Sequence, residues 1–449
     1  MARSPFRAYD IRGVYEKDIT KEFALKLGYV LGKFIEDERI VVGNDTRSSS
    51  PVLAERLING LLVSRKNVDY VGDVPNPVTY YYCWRGKMPG VYVTASHNPP
   101  EYNGFKLIRG DGTSFTHEYR EIKKLFYRTS FPKEITAAVG SETVRYIDVA
   151  KDYLDFITSQ VDIKHGVKVV VETFGGVVNK VLPTLFDKLG VKYKILHPRI
   201  KGNFYGYRPE PAENNLDLLR EKIVAFGADF GVAFDGDADR SVFVDNKGRV
   251  LNGSQAGAVL ALFMVEKGDT VVLTPDTSIV LKKLIEDIGG KIVYSRIGHG
   301  FIEEKVRDTG AVLGIEQSSH FYFGKYYPFS DGILAAAIMA QVASHFNISA
   351  IVDKYPVFPM EKIYINAYDD ETKRKVVSLL RKEHQDAVAV YDGFKVFFDD
   401  AWVLIRESQT MPEVNLVIEA STREKLEELK EKYVKKIKEA IRLVNKNKS

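Results

Sequence analysis

Apolar runs and amphipathic stretches follow one another along most of this chain in a recurring order. An apolar run of strand length leads through a polar or glycine loop into a stretch with helical spacing, and a second apolar run follows. The order occurs at Arg39 to Gly72, at Gly166 to Leu196 and at Asp269 to Ile297. In the first, Ile40-Val41-Val42 passes through Gly43-Asn44-Asp45 to a predicted helix near Ser50-Pro51, where proline suits the first helical turn. The second starts at Val167-Lys168-Val169-Val170-Val171 and turns at Gly175-Gly176; the third starts at Val271-Val272-Leu273 and turns at Pro275-Asp276-Thr277. Strands joined by crossover helices imply parallel or mixed sheets covered on both faces. The pattern therefore predicts an α/β fold of three similar mixed-sheet domains.

After about Asp353 the order changes. Ile363-Tyr364-Ile365, a helix from Asp370 to Glu383 and further strands precede a charged run from Arg423 to Lys448. Within that run Leu426, Leu429, Tyr433, Ile437 and Ile441 fall on one helical stripe, so it reads as a terminal amphipathic helix. The expected domains are residues 1–148, 149–247 and 248–353, each α/β, followed by a smaller α+β domain at 354–449.

Composition adds modest constraints. A chain of 449 residues exceeds what one hydrophobic core usually supports, which agrees with several domains. With 45% hydrophobic and 28% charged residues it has no signature of disorder, and a net charge of +4 gives no reason to expect nucleic acid. The longest uncharged apolar stretch, Leu251 to Val265, is broken by Asn252, Ser254 and Gln255 and is too short for a bilayer, so no membrane partner is expected. Cys83 is the only cysteine and the first residues lack a signal-peptide core, so a cytoplasmic location is expected.

Candidate chemistry lies in two short stretches, each directly after an apolar run. Thr94-Ala95-Ser96-His97-Asn98-Pro99 follows Gly90 to Val93, and Asp235-Gly236-Asp237-Ala238-Asp239-Arg240 follows Phe230 to Phe234. Both sit at predicted strand ends, where ligands bind in open α/β sheets. Aspartates at alternate positions offer oxygen ligands to a hard cation such as Mg²⁺. The spacing begins like an EF-hand but fails at Arg240 and Asn246, which stand where that loop requires glycine and glutamate. A solvated acidic turn is the plainer reading of the aspartates, yet close carboxylates repel unless neutralised. Arg240 adds a planar fork suited to phosphate. Ser96 taken alone reads as a turn serine; as a nucleophile it needs a base or metal, and His97, Lys106 and the acidic loop make both available.

TASHNP with NGFK after it, and DGDADR, resemble the active-serine and magnesium loops of the α-D-phosphohexomutase superfamily. The resemblance extends over nearly the whole chain, through Phe6-Arg7-Ala8-Tyr9-Asp10-Ile11-Arg12-Gly13, Gly298-His299 and Glu316-Gln317-Ser318-Ser319-His320. It implies a heart-shaped four-domain enzyme with one loop from each domain in a common cleft. It further implies Ser96 as the phosphoryl carrier, with Asp235, Asp237 and Asp239 holding Mg²⁺ against it. Lys106 and His320 match proton-transfer positions, Arg12 and Arg240 match cationic groups near the reacting phosphate, and Glu316 and Ser318 match the pair that holds sugar hydroxyls; His299 is a further substrate contact. The activity implied is interconversion of hexose 1-phosphate and hexose 6-phosphate, of glucose, mannose or both, with hexose 1,6-bisphosphate as intermediate and activator. Because one cleft must hold the sugar in two orientations, carbon 2 is expected to go largely unread.

The match departs from the family at three places. The distal phosphate loop, commonly Arg-x-Ser-Asn-Thr-Glu-Pro-x-x-Arg, keeps Arg406, Ser408 and Thr410 but has Gln409, Met411 and Asn415. Ser319 replaces a commoner glycine before His320, and Asp276 stands near where phosphomannomutase relatives often carry a lysine. Three other functions remain open on these residues: a phosphoglucosamine mutase, a noncatalytic sugar-phosphate-binding relative, and a phosphatase with Asp235 as nucleophile.

Overall fold

The computed structural model describes residues 4–6, 10–130, 143–164, 166–390, 392–408 and 411–446. Its first three sheets share one plan. In the first, strands Asn67–Asp73, Arg39–Asn44 and Gly90–Val93 lie side by side in parallel, and Tyr102–Ile108 pairs antiparallel beyond them. In the second, Lys192–Ile195, Lys168–Glu172 and Phe230–Phe234 are parallel and Ser241–Asp245 is antiparallel. In the third, Lys291–Tyr294, Thr270–Leu273 and Leu313–Ile315 are parallel and Phe321–Tyr322 is antiparallel. The three repeats read from the hydrophobic pattern are therefore the first two parallel strands of each sheet with the helix between them.

This plan places the chemistry. In every unit the connection from the third strand to the antiparallel fourth is a short loop at the carboxyl end of the parallel strands. Those loops carry Ser96, the aspartates with Arg240, and Glu316 to His320. Three motifs that look unrelated in sequence thus occupy one topological position in three copies.

The last domain is an antiparallel sheet in the order Met360–Asn366, Glu413–Ala420, Ala401–Glu407, Gly393–Phe397 and Val388–Val390. Helices Asp370–Lys382 and Arg423–Lys446 accompany it, and the stripe Leu426, Leu429, Tyr433, Ile437 and Ile441 is buried as its spacing predicts. The apolar stretch from Leu251 to Val265 is a helix at Gly253–Met264, and the Asn252 and Gln255 that interrupt it form the capping box that starts it. Among the described residues no helix is long and apolar enough to cross a membrane.

One continuous apolar core, including Tyr81, Tyr153, Phe186, Leu260 and Ile333, runs through the first three domains. The last domain has its own core around Val376, Leu416 and Tyr433. It meets the third through a small cluster of Ile279 with Trp402, Leu404 and Val417. Two polar groups reinforce that seam. The Glu419 carboxylate accepts from Trp402 Nε1 at 2.6 Å and from the Ile279 N–H at 2.8 Å, and Lys395 Nζ donates to the Pro275 carbonyl at 2.7 Å.

Candidate active site

Ser96 sits on the loop after Gly90–Val93 with φ +48°, a left-handed conformation uncommon for a residue with a side chain. Its Oγ donates to Asp235 Oδ2 at 2.8 Å and lies 3.2 Å from His97 Nδ1. Burial, and then Arg240 and Arg12, keep the His97 ring neutral. The first and second domains therefore meet at the serine hydroxyl.

Asp235, Asp237 and Asp239 are buried and can bring one oxygen each to within 4.8 Å of the others. Lys106 Nζ bridges two of them, at 2.8 Å to Asp237 Oδ2 and 2.5 Å to Asp239 Oδ2. Although burial opposes its charge, these two carboxylates keep the Lys106 ammonium protonated. Asp237 Oδ1 and Asp239 Oδ1 remain buried without hydrogen-bond partners. Buried carboxylate oxygens without donors, three carboxylates together, and all-oxygen chemistry fit a hard divalent cation.

Arg240 closes the loop on itself, Nε donating to Asp235 Oδ2 at 3.0 Å, while its Nη2 is buried and unpartnered. Burial and the neighbouring Asp239 push the Asp235 carboxyl up to about 7. Asp239 goes the other way: against burial, Lys106 and then His320 hold it ionised, well below the usual range.

His320 connects the third domain to this centre. Its Nδ1 lies 3.1 Å from Glu316 Oε2 and 2.9 Å from Ser318 Oγ, and its Nε2 lies 3.6 Å from Asp239 Oδ1. Burial opposes the imidazolium, but Glu316 and then Asp239 raise His320 to about 9. Ser319 is left-handed at φ +67°, so the serine found where glycine is commoner occupies a glycine-like conformation. His299, first residue of helix His299–Thr309, feels Lys106, Asp239, His320 and Glu316; burial and then Lys106 push it down to about 3.

Arg12 joins from the opening strand, with Nη1 donating to Asn98 Oδ1 at 2.7 Å and Nη2 3.2 Å from Asp10. In the last domain Arg406 stands across the sheet from Asn415, the residue found where the loop commonly ends in arginine. Among the described residues neither Arg406 Nε nor Asn415 Oδ1, both buried, has a hydrogen-bond partner. Ser408 is held by its backbone, its carbonyl accepting from Lys373 Nζ at 2.7 Å. Gln409 and Thr410 lie outside the described residues. Burial raises the Asp276 carboxyl; Thr274 and then Arg406 oppose, and Glu316 adds to the rise. Ser96, Lys106, the aspartates, Arg240, Glu316, Ser318 and His320 thus form one connected group, with Arg12 reaching it through Asn98 and His299 within its electrostatic field.

One residue of this group had no marker in the sequence. Asn76 donates its Nδ2 to Asp239 Oδ2 at 3.1 Å and its N–H to the Asp237 carbonyl at 2.9 Å, tying the acidic loop to the first domain. It reads in sequence only as the start of a helix before Pro77.

Three α/β units and an α+β unit around a buried acidic loop define a phosphohexomutase architecture, and comparison with known proteins agrees. Family models match in succession: phosphoglucomutase/phosphomannomutase α/β/α domain I at 3–133, domain II at 151–248, domain III at 252–358, and the C-terminal domain at 365–436. The phosphoglucomutase/phosphomannomutase of Thermococcus kodakarensis is 33% identical over 97% of this chain and 99% of its own. A Methanosarcina acetivorans protein named "Probable phosphoglucosamine mutase" is 35% identical over 97% of this chain and 99% of its own. A crystal structure of a phosphoglucomutase/phosphomannomutase family protein from Burkholderia thailandensis superposes with a TM-score of 0.88 at 29% identity, covering 98% of each chain. The chain belongs to the phosphoglucomutase/phosphomannomutase family of the α-D-phosphohexomutase superfamily, isomerases that act as intramolecular phosphotransferases on phosphorylated sugars.

Proposed function

We propose that the protein interconverts hexose 1-phosphate and hexose 6-phosphate through a phosphoserine at Ser96 and a bound hexose 1,6-bisphosphate. The observation that carries this reading is the Ser96 hydroxyl 2.8 Å from Asp235, within a carboxylate triad and beside the unpartnered Arg240 Nη2. Asp235, Asp237 and Asp239, with the Ser96 oxygen, would hold Mg²⁺, which when bound supplies positive charge to the transferring phosphoryl group.

In the first half-reaction the phosphorus–Oγ bond of phosphoserine breaks as a bond forms to the free sugar hydroxyl. That hydroxyl gives up a proton, and Oγ regains one. The second half-reaction reverses this at the other end of the sugar: the bisphosphate's second phosphoryl group passes to Ser96, whose proton leaves and whose displaced sugar oxygen takes one up. The serine proton is exchanged beside Asp235, whose Oδ2 accepts from Ser96 Oγ at 2.8 Å. His320 and Lys106 hold protons at Asp239, from which they serve the sugar oxygen. Arg240 and Arg12 serve to position and stabilise the phosphoryl charge, the main tasks in this chemistry. Glu316 and Ser318 face the sugar, and Arg406 with Ser408, Gln409 and Thr410 takes its resident phosphate.

The test is turnover of glucose 1-phosphate and mannose 1-phosphate with Mg²⁺ and a trace of bisphosphate, by the intact protein and by Ser96→Ala. Conversion of both sugars by the intact protein alone is expected. A preference above about a thousandfold for either sugar would contradict an unread carbon 2, because a hydroxyl read by a dedicated hydrogen bond gives discrimination above that level. A second reading, an amino-sugar phosphate as substrate, has one observation in its favour. Among the described residues Asp276 Oδ1 is buried without a hydrogen-bond partner, and an ammonium group would satisfy it. Glucosamine 6-phosphate turned over faster than both neutral hexoses, and lost with Asp276→Asn, would establish that reading.

A further inference from the structure

Arg47 belongs to none of the motifs above, and we infer that it is the positioning residue of Ser96, an inference that rests on the mutase reading. It is fully buried, three residues beyond strand Arg39–Asn44. Its Nη2 donates to the carbonyls of Ser96 at 2.6 Å and Asn98 at 2.7 Å. Its Nη1 donates to those of Pro99 at 2.7 Å and Tyr102 at 3.2 Å. The remaining donor, Nε, goes to Asp45 Oδ2 at 3.1 Å. One guanidinium thus gathers four backbone carbonyls of the serine loop.

The same ion pair reaches Ser96 from its other side. Asp45 Oδ2 accepts from Thr94 Oγ1 at 2.7 Å, and that oxygen accepts the Ser96 N–H at 2.8 Å. Asp45 Oδ1 takes the Arg47 N–H at 3.0 Å and Ser50 Oγ at 2.5 Å, which fixes the carboxylate. Both backbone polar groups of Ser96 therefore end on the Asp45 and Arg47 pair, one directly and one through Thr94. A left-handed non-glycine residue persists only where its surroundings over-determine it, and here two anchors do so.

The second domain covers this brace. The Phe204 ring lies 4.9 Å from the Arg47 guanidinium, in a turn where Phe204, Tyr205 and Gly206 have φ of +51°, +55° and +82°. Gly202 passes so close that a Cβ there would stand 2.4 Å from Ser48 Oγ. Arg47 touches no group that reacts. Its work is to hold Oγ against Asp235 while the same oxygen gives and then receives a phosphoryl group. Lysine keeps the charge but lacks the planar fork that spans these acceptors.

The experiment compares intact protein, Arg47→Lys and Thr94→Val for turnover of glucose 1-phosphate and mannose 1-phosphate, Mg²⁺ dependence, and amide hydrogen exchange in the segment 94–102. Arg47→Lys is expected to lower kcat about a hundredfold, the cost of a small misplacement remote from the chemistry. KM and the half-saturating Mg²⁺ concentration should stay within about threefold, as for loss of an effect felt only in the transition state. Exchange should quicken in 94–102 while strand Arg39–Asn44 stays protected. Thr94→Val, which cuts the other anchor, should behave likewise, and it decides the matter if Arg47→Lys does not fold. Unchanged kcat with unchanged loop exchange overturns the inference, as does a general loss in which KM, Mg²⁺ dependence and exchange in the core strands all move together. If the intact protein turns over neither sugar the glucose and mannose reading fails, and loop exchange alone then decides whether Arg47 holds the loop.

Discussion

Replacing Lys395 by methionine is expected to flatten the rise of stability with pH above neutrality. Lys395 lies on strand Gly393–Phe397 at the seam with the third domain, 2% exposed. Its ammonium donates to the carbonyls of Pro275 at 2.7 Å and Thr277 at 3.3 Å, and it sits 3.8 Å from the Trp402 ring centre. Among the described residues no carboxylate forms an ion pair with it. Glu419 and Asp276 favour its charge from a distance and Lys282 opposes it, so burial prevails and pushes it down to about 7. An unfolded lysine titrates at about 10.4. Between these values the unfolded chain binds a proton that the folded chain has released, so stability rises with pH through that window and is lost as pH falls toward 7.

Integrating the difference in bound protons gives about 2 kcal/mol between pH 7 and pH 9. The assay uses the two tryptophans: with Trp84→Phe in the background, Trp402 fluorescence reports denaturant unfolding of the last domain. The stability of the parent minus that of Lys395→Met should increase by that amount from pH 7 to pH 9. A gap constant to within about 0.5 kcal/mol, near the error of such extrapolations, would refute the argument.

Three further outcomes follow from the site. Arg240→Ala removes the unpartnered Nη2 and should lower kcat about a hundredfold or more with a smaller change in KM, read by steady-state kinetics. Removing divalent metal with a chelator should abolish turnover, and restoring Mg²⁺ at about a hundred times its dissociation constant should return activity and about 2.7 kcal/mol of stability, read as a rise in Tm. Ser319→Gly should preserve turnover, because the backbone there is already left-handed and among the described residues the side chain makes no hydrogen bond; a loss above about tenfold would show that the Ser319 side chain acts on the reaction.

Much of this arrangement was legible in residue order. The three α/β repeats follow from apolar runs and glycine turns, and the terminal helix from the stripe Leu426 to Ile441, because local periodicity reports directly on which face is buried. The carboxylate triad was legible because its members are neighbours in sequence. The meeting of Ser96, Lys106 and His320 at those carboxylates was supplied by resemblance, since spacing holds no record of contacts between domains. Asn76 and Arg47 show the limit more sharply. Each is an ordinary polar residue after a strand or at a helix start, and its partners lie dozens of residues away in the chain. The common topological position of the three loops was equally hidden, since it depends on strand order and on the antiparallel fourth strand of each unit.

Peptide mapping of the protein after incubation with hexose 1,6-bisphosphate and Mg²⁺ decides whether Ser96 carries the phosphoryl group. One phosphoryl group is expected on the peptide containing Ser96, released to a hexose monophosphate on chase. A phosphoryl group on Asp235 instead, or sugar turnover with Ser96 never labelled, would contradict it.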